Sequence, residues 1–260
     1  MQRQKRPPVL RSERIAPSLD VLGLNAILRG LNGTELAAVA ESGALVDLAV
    51  RDQIYRPDER IISVYFPIDC VLSVVTRMRD GNAIEVGTIG REGVSAIPLL
   101  LGATTTANEC YCQVPGSAIR VDVALFESLK VDPKFRQLLD RYVQAYVNML
   151  GQLAACNRLH SIYERCARWL LMTQDRVESP AIRLTHEYLA MMLGTQRSGV
   201  SIAAGTLQNA GFIRYASGTI TILDRAGLED ASCECYEVAR EQFGGLLRAL
   251  NKSKQNPKKL

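Results

Sequence analysis

The stretch 184-LTHEYLAMMLGTQRSGVSIAAGTLQNAGFIRYASGTITILD-224 decides the fold of this 260-residue chain. Its pattern is typical of two short helices joined by a tight turn. Thr185 is a good N-cap for the first helix, and Glu187 lies in the first turn, where the helix dipole favours a carboxylate. Gly194 can adopt the left-handed conformation that ends this helix, and a second helix is predicted from near Thr195–Gln196 to Asn209. Three apolar residues fall on its inward side: Val200, Ala203 and Leu207.

A two-stranded hairpin is predicted directly after the second helix. Gly211 ends that helix, and the predicted strands Phe212–Tyr215 and Thr219–Leu223 flank a turn at Ser217-Gly218. The small residue Ala190, four positions before the turn glycine, lets the two helices cross closely. These features resemble the DNA-binding helix-turn-helix in its winged form, although an ordinary helical hairpin in an enzyme would share part of the pattern.

Composition and charge limit the class of protein only loosely. The net charge of +4 permits nucleic-acid binding without requiring it. No apolar run approaches the ~20 residues that span a bilayer, and the basic N-terminus lacks the apolar core of a signal peptide. We therefore expect no membrane partner and a cytoplasmic protein. Seven cysteines, an odd number, argue against a disulfide framework.

Short strands dominate the predicted first half of the chain. Residues 1–18 are rich in Arg, Pro and Ser and predict a flexible tail. Short helices are predicted at Leu22–Leu31, at Thr34–Ser42 with Thr34 as its cap, and at Gly93–Leu101. Strands at regular spacing favour a jelly-roll-like β-roll. The predicted strands are Leu45–Val50, Ile61–Phe66, Val71–Arg77, Ala83–Ile89, Cys110–Val114 and Ser117–Val121.

A long helix is predicted after the roll, with Asp132 as its cap and Pro133 at the first helical position. Its apolar residues recur at the ~3.5-residue spacing of a coiled coil, and a second apolar set widens the stripe. One side is therefore predicted to lie on the β-roll and the other on the same helix of a second subunit; the alternative is a helix buried inside a monomer. The predicted dimer interface comprises Phe135, Leu139, Tyr142, Tyr146, Met149, Leu153 and Cys156.

The end of the chain is predicted to be helical on both sides of the hairpin. Asn157–Ser161 marks a break, Ile162–Met172 forms the next helix, and Arg225–Leu250 forms one terminal helix before a disordered lysine-rich tail. The predicted fold class is α+β. Its parts are a flexible tail (1–18), a β-roll (19–131), a dimerisation helix (132–160), a winged helix-turn-helix (161–225), and a C-terminal helix with a basic tail (226–260).

This order of parts resembles the CRP/FNR family of bacterial transcription regulators over about residues 20 to 225. The likeness is strongest in NRLHSIYERCARWLL (157–171) and LAMMLGTQRSGVSIAAGTLQNAGFIRY (189–215). The phrase FPIDCVLSVVTRMRDGNAIEVGTIGREGVSAIPLLLG (66–102) is similar to the family's β-roll. The resemblance implies a homodimer on a palindromic site. Its implied partners are double-stranded DNA, a second copy of the chain and RNA polymerase.

The resemblance also implies which residues contact DNA. Family members that bind GTGA-type half-sites use an Arg-Glu pair at the start of the second helix and another Arg one turn on. This chain keeps Arg197 but has Ser198 and Ile202 at the other two positions, which predicts a departure from that consensus. Arg197 can donate two hydrogen bonds to one guanine. The predicted base contacts are Gln196, Arg197, Ser198 and Ser201, and the predicted phosphate contacts are Thr185, His186 and Ser217.

A glycine series in the roll raises the question of a bound nucleotide. Gly87, Gly90 and Gly93 could hold a phosphate, and cyclic-nucleotide-binding relatives use this loop. Those relatives also need an Arg-Ser pair on the following strand, where this chain has Asn108 and Glu109. Because a glutamate repels an anion, no cyclic AMP binding is predicted, and the glycines are expected to turn tight corners of the roll.

The remaining reactive side chains predict no metal site, no cofactor and no catalytic residue. Cys110 and Cys112 point the same way on one strand and are a weak redox candidate, with core packing as the main expectation. Cys233 and Cys235 on one helix would point about 200° apart and could not chelate one ion. His160 is isolated and is expected to pack at the hinge. No hydrolase motif is present.

The sequence therefore predicts a homodimeric, sequence-specific DNA-binding transcription regulator that is not an enzyme. The alternative is a small-molecule-sensing or redox-sensing module whose winged helix contacts protein instead of DNA. A salt-dependent gel-shift experiment on genomic DNA fragments would separate the two, since phosphate contacts make DNA affinity fall with salt.

Overall fold

The computed structural model describes residues 15–177 and 179–255 of the chain. A β-roll, a long helix and a winged helical domain follow one another in that order. Before the roll come helix α1 (Leu19–Leu22), a 3-10 helix (Leu28–Gly30) and helix α2 (Gly33–Ser42). Of the predicted flexible tail, Ile15 already forms a β-bridge to the first strand, and residues 1–14 lie outside the described residues.

Two asparagines explain why this region departs from prediction. The buried Asn25 side chain accepts hydrogen bonds from two backbone N–H groups at the start of the 3-10 helix, which splits the predicted helix Leu22–Leu31. Asn32, and not Thr34, caps α2. Its side chain accepts from the Glu35 N–H at 3.1 Å while the Glu35 carboxylate accepts from the Asn32 N–H at 2.9 Å, a reciprocal capping box.

Two antiparallel sheets form the roll, in the orders β1-β7-β3 and β2-β6-β4-β5. All six predicted strands are confirmed to within about two residues at each end. Strand β2 was missed because three residues are too short to show an alternating pattern. The predicted helix Gly93–Leu101 is confined to α3 (Ile97–Leu100), and α4 (Val123–Leu129) was not predicted. The strands are β1 (Ala44–Leu48), β2 (Gln53–Tyr55), β3 (Ser63–Pro67), β4 (Val71–Arg77), β5 (Ala83–Ile89), β6 (Glu109–Val114) and β7 (Gly116–Asp122).

Helix α5 (Pro133–Leu159) begins as predicted, since the Asp132 side chain accepts from the Phe135 N–H at 2.8 Å. The predicted dimer interface on it is wrong. Six of its seven residues are at most 4% exposed within the single chain, five of them because this side of α5 covers the roll and Cys156 because it packs against Cys233 and Cys235. The Tyr142 hydroxyl, for example, donates to the Val94 carbonyl at 3.2 Å. The six are Phe135, Leu139, Tyr142, Tyr146, Met149 and Cys156, and Leu153 is half-buried beside them.

The winged helical domain follows the predicted order. Helices α6 (Ile162–Val177), α7 (His186–Leu193) and α8 (Arg197–Asn209) come first along the chain. The predicted hairpin is confirmed and gains a third strand. The sheet order is β8-β10-β9, with β8 (Ala181–Arg183), β9 (Ile213–Ala216) and β10 (Thr219–Ile222).

The predicted terminal helix Arg225–Leu250 is in fact two helices. Helix α9 (Arg225–Asp230) is followed by a turn, after which α10 (Cys235–Gln255) runs back along α5. The turn lets the apolar side of α10 cover α5 and α6, which a continuous helix could not reach. Lys252 and Lys254, expected in a disordered tail, lie in α10, while residues 256–260 fall outside the described part. Among the described residues, no helix is long and apolar enough to cross a membrane.

Candidate nucleic-acid interface

Helices α7 and α8 pack around a single turn glycine. Gly194 has a φ of +59°, the left-handed conformation that was predicted. A side chain there would also overlap Ile84 of the roll. Thr185 caps α7 by accepting a hydrogen bond from the Tyr188 N–H at 3.2 Å. The inward side of α8 is buried as predicted, which leaves its opposite side to solvent: the buried residues are Val200, Ala203 and Leu207.

The solvent side of α8 presents an arginine that a second helix holds in place. Gln196, Arg197 and Ser198 are all exposed at the N-terminal end of α8. The Nε of Arg197 lies 2.8 Å from Oε1 of Glu187 in the first turn of α7. The pair is formed through Nε, and the two terminal nitrogens of Arg197 have no acceptor among the described residues. The sequence pattern indicates only a helix-dipole role for Glu187 and gives no sign of its contact with Arg197.

An isoleucine also stands on this surface. Ile202 follows Ser198 by one turn of α8 and is 72% exposed. A large apolar side chain on an otherwise polar helix side loses favourable burial unless another surface covers it. The C5-methyl group of thymine is the apolar feature that DNA offers in the major groove.

His186, predicted to contact a phosphate, is engaged by side chains of the chain itself. Its Nδ1 lies 2.9 Å from the Ser201 hydroxyl, and its ring stacks on Tyr215 with the centroids 4.3 Å apart. Its Nε2 is buried, without a partner in the described part of the chain. Burial lowers the pKa of His186, so the ring is neutral near pH 7 and offers a phosphate no charge. His186 instead ties α7 to α8 and to the hairpin.

The same contacts change what Ser201 can do. Its hydroxyl faces His186 and also donates to the Arg197 carbonyl at 3.0 Å. Ser201 is exposed, but this internal bond takes its one hydroxyl hydrogen. The structure therefore leaves it only an acceptor for the predicted base contact.

The β9–β10 hairpin carries Ser217 at its tip. Ser217 and Gly218 have φ values of +49° and +72°, the positive pair that a type I′ turn requires. Two exposed arginines, Arg183 and Arg214, pair with alternate residues of β10 and so share the outward side of this sheet. Neither was predicted as a DNA contact, because strand register is what brings them to one side.

The glycine loop of the roll is filled by side chains from two helices. Side chains at Gly87 and Gly93 would overlap tyrosines of α5, and one at Gly90 would overlap Arg176 of α6. None of the three has a positive φ, so they do not turn corners as expected. They allow α5 and α6 to approach the sheet closely.

Asn108 and Glu109, which stand where cyclic-nucleotide-binding relatives have their Arg-Ser pair, each form a polar contact within the chain. The Glu109 carboxylate accepts from Arg77 at 2.6 Å, and the Asn108 side-chain oxygen accepts from the Thr76 hydroxyl at 2.8 Å. Arg77 is therefore already neutralised by a carboxylate. The absence of cyclic AMP binding stays a prediction.

A cavity of about 580 Å³ lies elsewhere, between the segment before α2 and the helices α6 and α10. Its lining includes Arg29, Arg91, Arg176 and Arg240 together with the apolar Phe243. The Nε of Arg29 is buried there without a partner among the described residues. The cavity is large enough for a small effector.

A buried carboxylate joins the roll to α6. Glu85 accepts hydrogen bonds from Ser73 at 2.7 Å, from Gln113 at 2.9 Å and from the Trp169 indole at 3.1 Å. Burial raises the pKa of Glu85 to about 7, although the hydrogen bonds from Ser73 and Trp169 oppose this. The protonation of Glu85 is therefore coupled to the contact between the two parts of the chain.

The cysteines of the roll are inert. Cys110 and Cys112 are fully buried, and burial raises the pKa of both thiols, that of Cys112 to about 12. Because the thiolate is the reactive form, the suggested redox role gains no support.

The geometry assumed for Cys233 and Cys235 is wrong. Cys233 lies in the turn before α10 and not on a helix with Cys235. That turn brings both residues beside Cys156 and His160 at the end of α5. The prediction of no metal site rested on Cys233 and Cys235 pointing apart and on His160 being isolated, and both premises fail.

Comparisons with known proteins agree with this architecture. Residues 164–231 match the Crp-like helix-turn-helix domain. The chain is similar in structure to FixK2 from Bradyrhizobium japonicum, with a TM-score of 0.62 and 16% identity over 74% of this chain and 98% of that one. It is also similar to a CRP-family transcriptional regulator from Thermus thermophilus, TTHB099, with a TM-score of 0.61 and 19% identity over 72% and 96% of the two chains. No curated protein sequence matches the chain.

Proposed function

We propose that this chain is a DNA-binding transcription regulator of the CRP/FNR family and that it binds a two-fold symmetric DNA site as a homodimer, as its Crp-like helix-turn-helix domain and its likeness in fold to such regulators support. The observation that supports this most is the exposed start of α8, where Glu187 orients Arg197. An arginine in this position donates to O6 and N7 of one guanine in each half-site. The Thr185 hydroxyl hydrogen and the exposed Ser217 contact phosphates and set the register.

The homodimer forms through the side of α5 that faces away from the roll. Exposed residues recur there at alternating spacings of three and four, the repeat of a coiled-coil seam. Val147 is 50% exposed at its centre, and a side chain at Gly151 would meet no described atom within 4 Å. Small residues let two helices approach closely. The seam comprises Gln137, Asp140, Gln144, Val147, Gly151, Ala154 and Arg158.

A third side of α5 belongs to α10, which leaves the seam uncovered. The Asn148 side chain donates to Gln242 at 3.1 Å, and the Gln152 side chain donates to Cys235 at 3.0 Å. In the dimer, the two α8 helices enter successive major grooves of the DNA, so the half-sites are centred ~10 bp apart. RNA polymerase is the further partner in this proposal, and the bacterial cytoplasm, which holds the DNA, is the site of action.

Selection of binding sites from random double-stranded DNA tests this function. We expect the wild-type chain to enrich an inverted repeat with a guanine at the same place in each half, and the affinity to fall with salt. Arg197→Ala should lose that guanine, whereas Arg79→Ala, at an exposed arginine of the roll, should keep it. Equal affinity for selected and scrambled fragments would favour the alternative, a sensing module whose winged helix contacts protein.

A further inference from the structure

Four side chains of metal-binding types meet where α5 ends. Cys156 and His160 are four residues apart at the end of α5 and so lie on the same side of that helix. Cys233 and Cys235 come from the turn that leads into α10. The ligand atoms of all four lie within 4.8 Å of one another. One helix end and one turn thus supply a complete ligand set at a single point.

The distances within this cluster fit a tetrahedron around one ion. Zn–S bonds of ~2.3 Å and Zn–N bonds of ~2.0 Å imply edges of ~3.8 Å between two sulfur atoms and ~3.5 Å between sulfur and nitrogen. The Sγ atoms of Cys156 and Cys233 are 3.5 Å apart, and the Sγ of Cys235 lies 3.5 Å from Nδ1 of His160. A disulfide would instead need ~2.05 Å between sulfur atoms.

The residues around the cluster support a metal site better than core packing. Oε2 of Glu234 lies 3.1 Å from Nε2 of His160, the carboxylate–histidine contact that turns the other ring nitrogen toward a metal. The Gln152 amide donates to the Cys235 sulfur. The three cysteines are at most 4% exposed and form a cluster separate from the main hydrophobic core. Apolar packing alone gives no reason for an imidazole and an amide to face these sulfur atoms.

We propose that Cys156, His160, Cys233 and Cys235 bind one zinc ion. Three cysteines and a histidine form a closed structural site with no position left for a reacting water. Each thiol releases its proton to solvent on binding, and His160 binds through Nδ1. The ion holds the start of α10 to the end of α5, where the chain passes from the roll into the helix-turn-helix domain. Its binding energy therefore stabilises this junction.

The full-length chain, purified under reducing conditions, tests the proposal. We expect mass spectrometry of the metal content to find one zinc per chain. After chelation, titration with Co²⁺ should give the intense absorption of a tetrahedral thiolate site, which Zn²⁺ then displaces. This spectrum needs no variant, so it decides the question even if a cysteine variant fails to fold.

Three variants locate the site. Cys233→Ser should abolish stoichiometric zinc, and Glu234→Gln should weaken zinc binding ~10-fold through the freed histidine ring. Cys166→Ala is the matched control, because Cys166 is fully buried in α6 outside the cluster. It should keep the full zinc content.

Two results would overturn the proposal. One is a reduced wild-type chain that binds neither Zn²⁺ nor Co²⁺ stoichiometrically. A chain isolated with a Cys156–Cys233 disulfide counts as the same result if it still binds neither metal after the disulfide is reduced. The other is zinc content that stays unchanged both in Cys233→Ser and in a second ligand variant, His160→Gln. That result would place the metal elsewhere in the chain.

Discussion

Arg197 and Glu187 form an ion pair whose geometry matters more than its energy. Their side chains are 68% and 62% exposed, so water screens the pair and its contribution to stability is at most ~1 kcal/mol. A bidentate contact between arginine and guanine discriminates by ~1–3 kcal/mol. The Arg197 guanidinium, which Glu187 has already oriented, can therefore leave the Glu187 carboxylate and bind a guanine at little cost in free energy.

The first prediction concerns this arginine. Arg197→Ala should lower the preference for the guanine of each half-site by ~1–3 kcal/mol, because no other group replaces its two donors. Competition binding on the selected site and on its guanine-to-adenine variant measures this preference. Glu187→Gln should lower it less, since Arg197 remains and loses only its orientation. An Arg197→Ala chain with the wild-type preference would remove Arg197 from base recognition.

The second prediction concerns Ile202 on the same surface. If this exposed side chain packs on a thymine methyl group, replacing thymine by deoxyuridine in the site should weaken wild-type binding. The Ile202→Ala chain should not distinguish the two DNAs, because it no longer reaches the methyl group. Fluorescence anisotropy on paired duplexes measures the difference. Equal binding of both duplexes by the wild type would contradict the contact.

The sequence predicted which residues of α8 are exposed but not what they touch. Burial of Val200 and Leu207 determines the outward side by helix geometry alone. His186 contacts Ser201 and Tyr215, which lie on other elements, and local pattern does not encode such contacts. The same limit hid the four-residue cluster at the end of α5.

Helix α5 has three sides with three different neighbours. The roll covers the side of Tyr142 and Met149, α10 covers the side of Asn148 and Gln152, and the seam centred on Val147 is exposed. The sequence predicted the length and start of this helix and its broad apolar stripe. It assigned that stripe to the wrong neighbour, because apolar periodicity shows that a side is buried but not what buries it.

The third prediction tests the seam. Val147→Glu should convert the dimer to a folded monomer, since a charge at the centre of the contact would lose its water without gaining a partner. Light scattering and circular dichroism measure the two properties. Val131→Glu, at an exposed valine before α5, should remain dimeric. A dimeric Val147→Glu chain would place the dimer contact elsewhere.

The fourth prediction also concerns α5 and uses the substitution Met149→Glu. Met149 is 1% exposed under the roll, so an unpaired carboxylate there should destabilise the single chain by several kcal/mol. Denaturant unfolding at fixed pH measures the loss. Wild-type stability of Met149→Glu would contradict the assignment of this side of α5 to the core.

The boundary between α9 and α10 is set by packing and not by turn-forming residues. Residues 231–234 contain neither glycine nor proline, so no local signal interrupts the helical pattern there. The break follows from packing, because only a reversed α10 can cover α5. Where turn residues do mark the boundary, as at Asp132 and Gly194, the prediction is confirmed.

At the scale of the whole molecule, the roll is docked on the helix-turn-helix domain through buried polar contacts. Arg176 of α6 donates to Glu92 at 2.8 Å, and Trp169 of the same helix donates to Glu85. Gly194 in the turn between α7 and α8 lies against Ile84. The two partners of each contact are more than 80 residues apart, so the sequence predicted both parts but not how they join.

The last prediction follows from Glu85 at this contact. The folded chain raises the pKa of Glu85 from 4.5 to about 7, so between these pH values it keeps a proton that the unfolded chain has lost. The free energy of unfolding should therefore fall as the pH rises through this window, by about 3 kcal/mol in all, and this contribution should level off about one pH unit above the folded-state pKa.

Glu85→Gln isolates that effect. A glutamine is neutral at every pH, and its amide can donate to the Gln113 side-chain oxygen, which has no partner among the described residues, once the Gln113 amide that now donates to Glu85 turns over. Denaturant unfolding of Glu85→Gln should lose this component of the pH dependence and show a gain over the wild type that is larger at pH 8 than at pH 5. The exposed control Glu59→Gln should follow the wild-type curve. If Glu85→Gln retained the wild-type slope between pH 5 and 7, another group would be responsible, and the contact between roll and α6 would not depend on this proton.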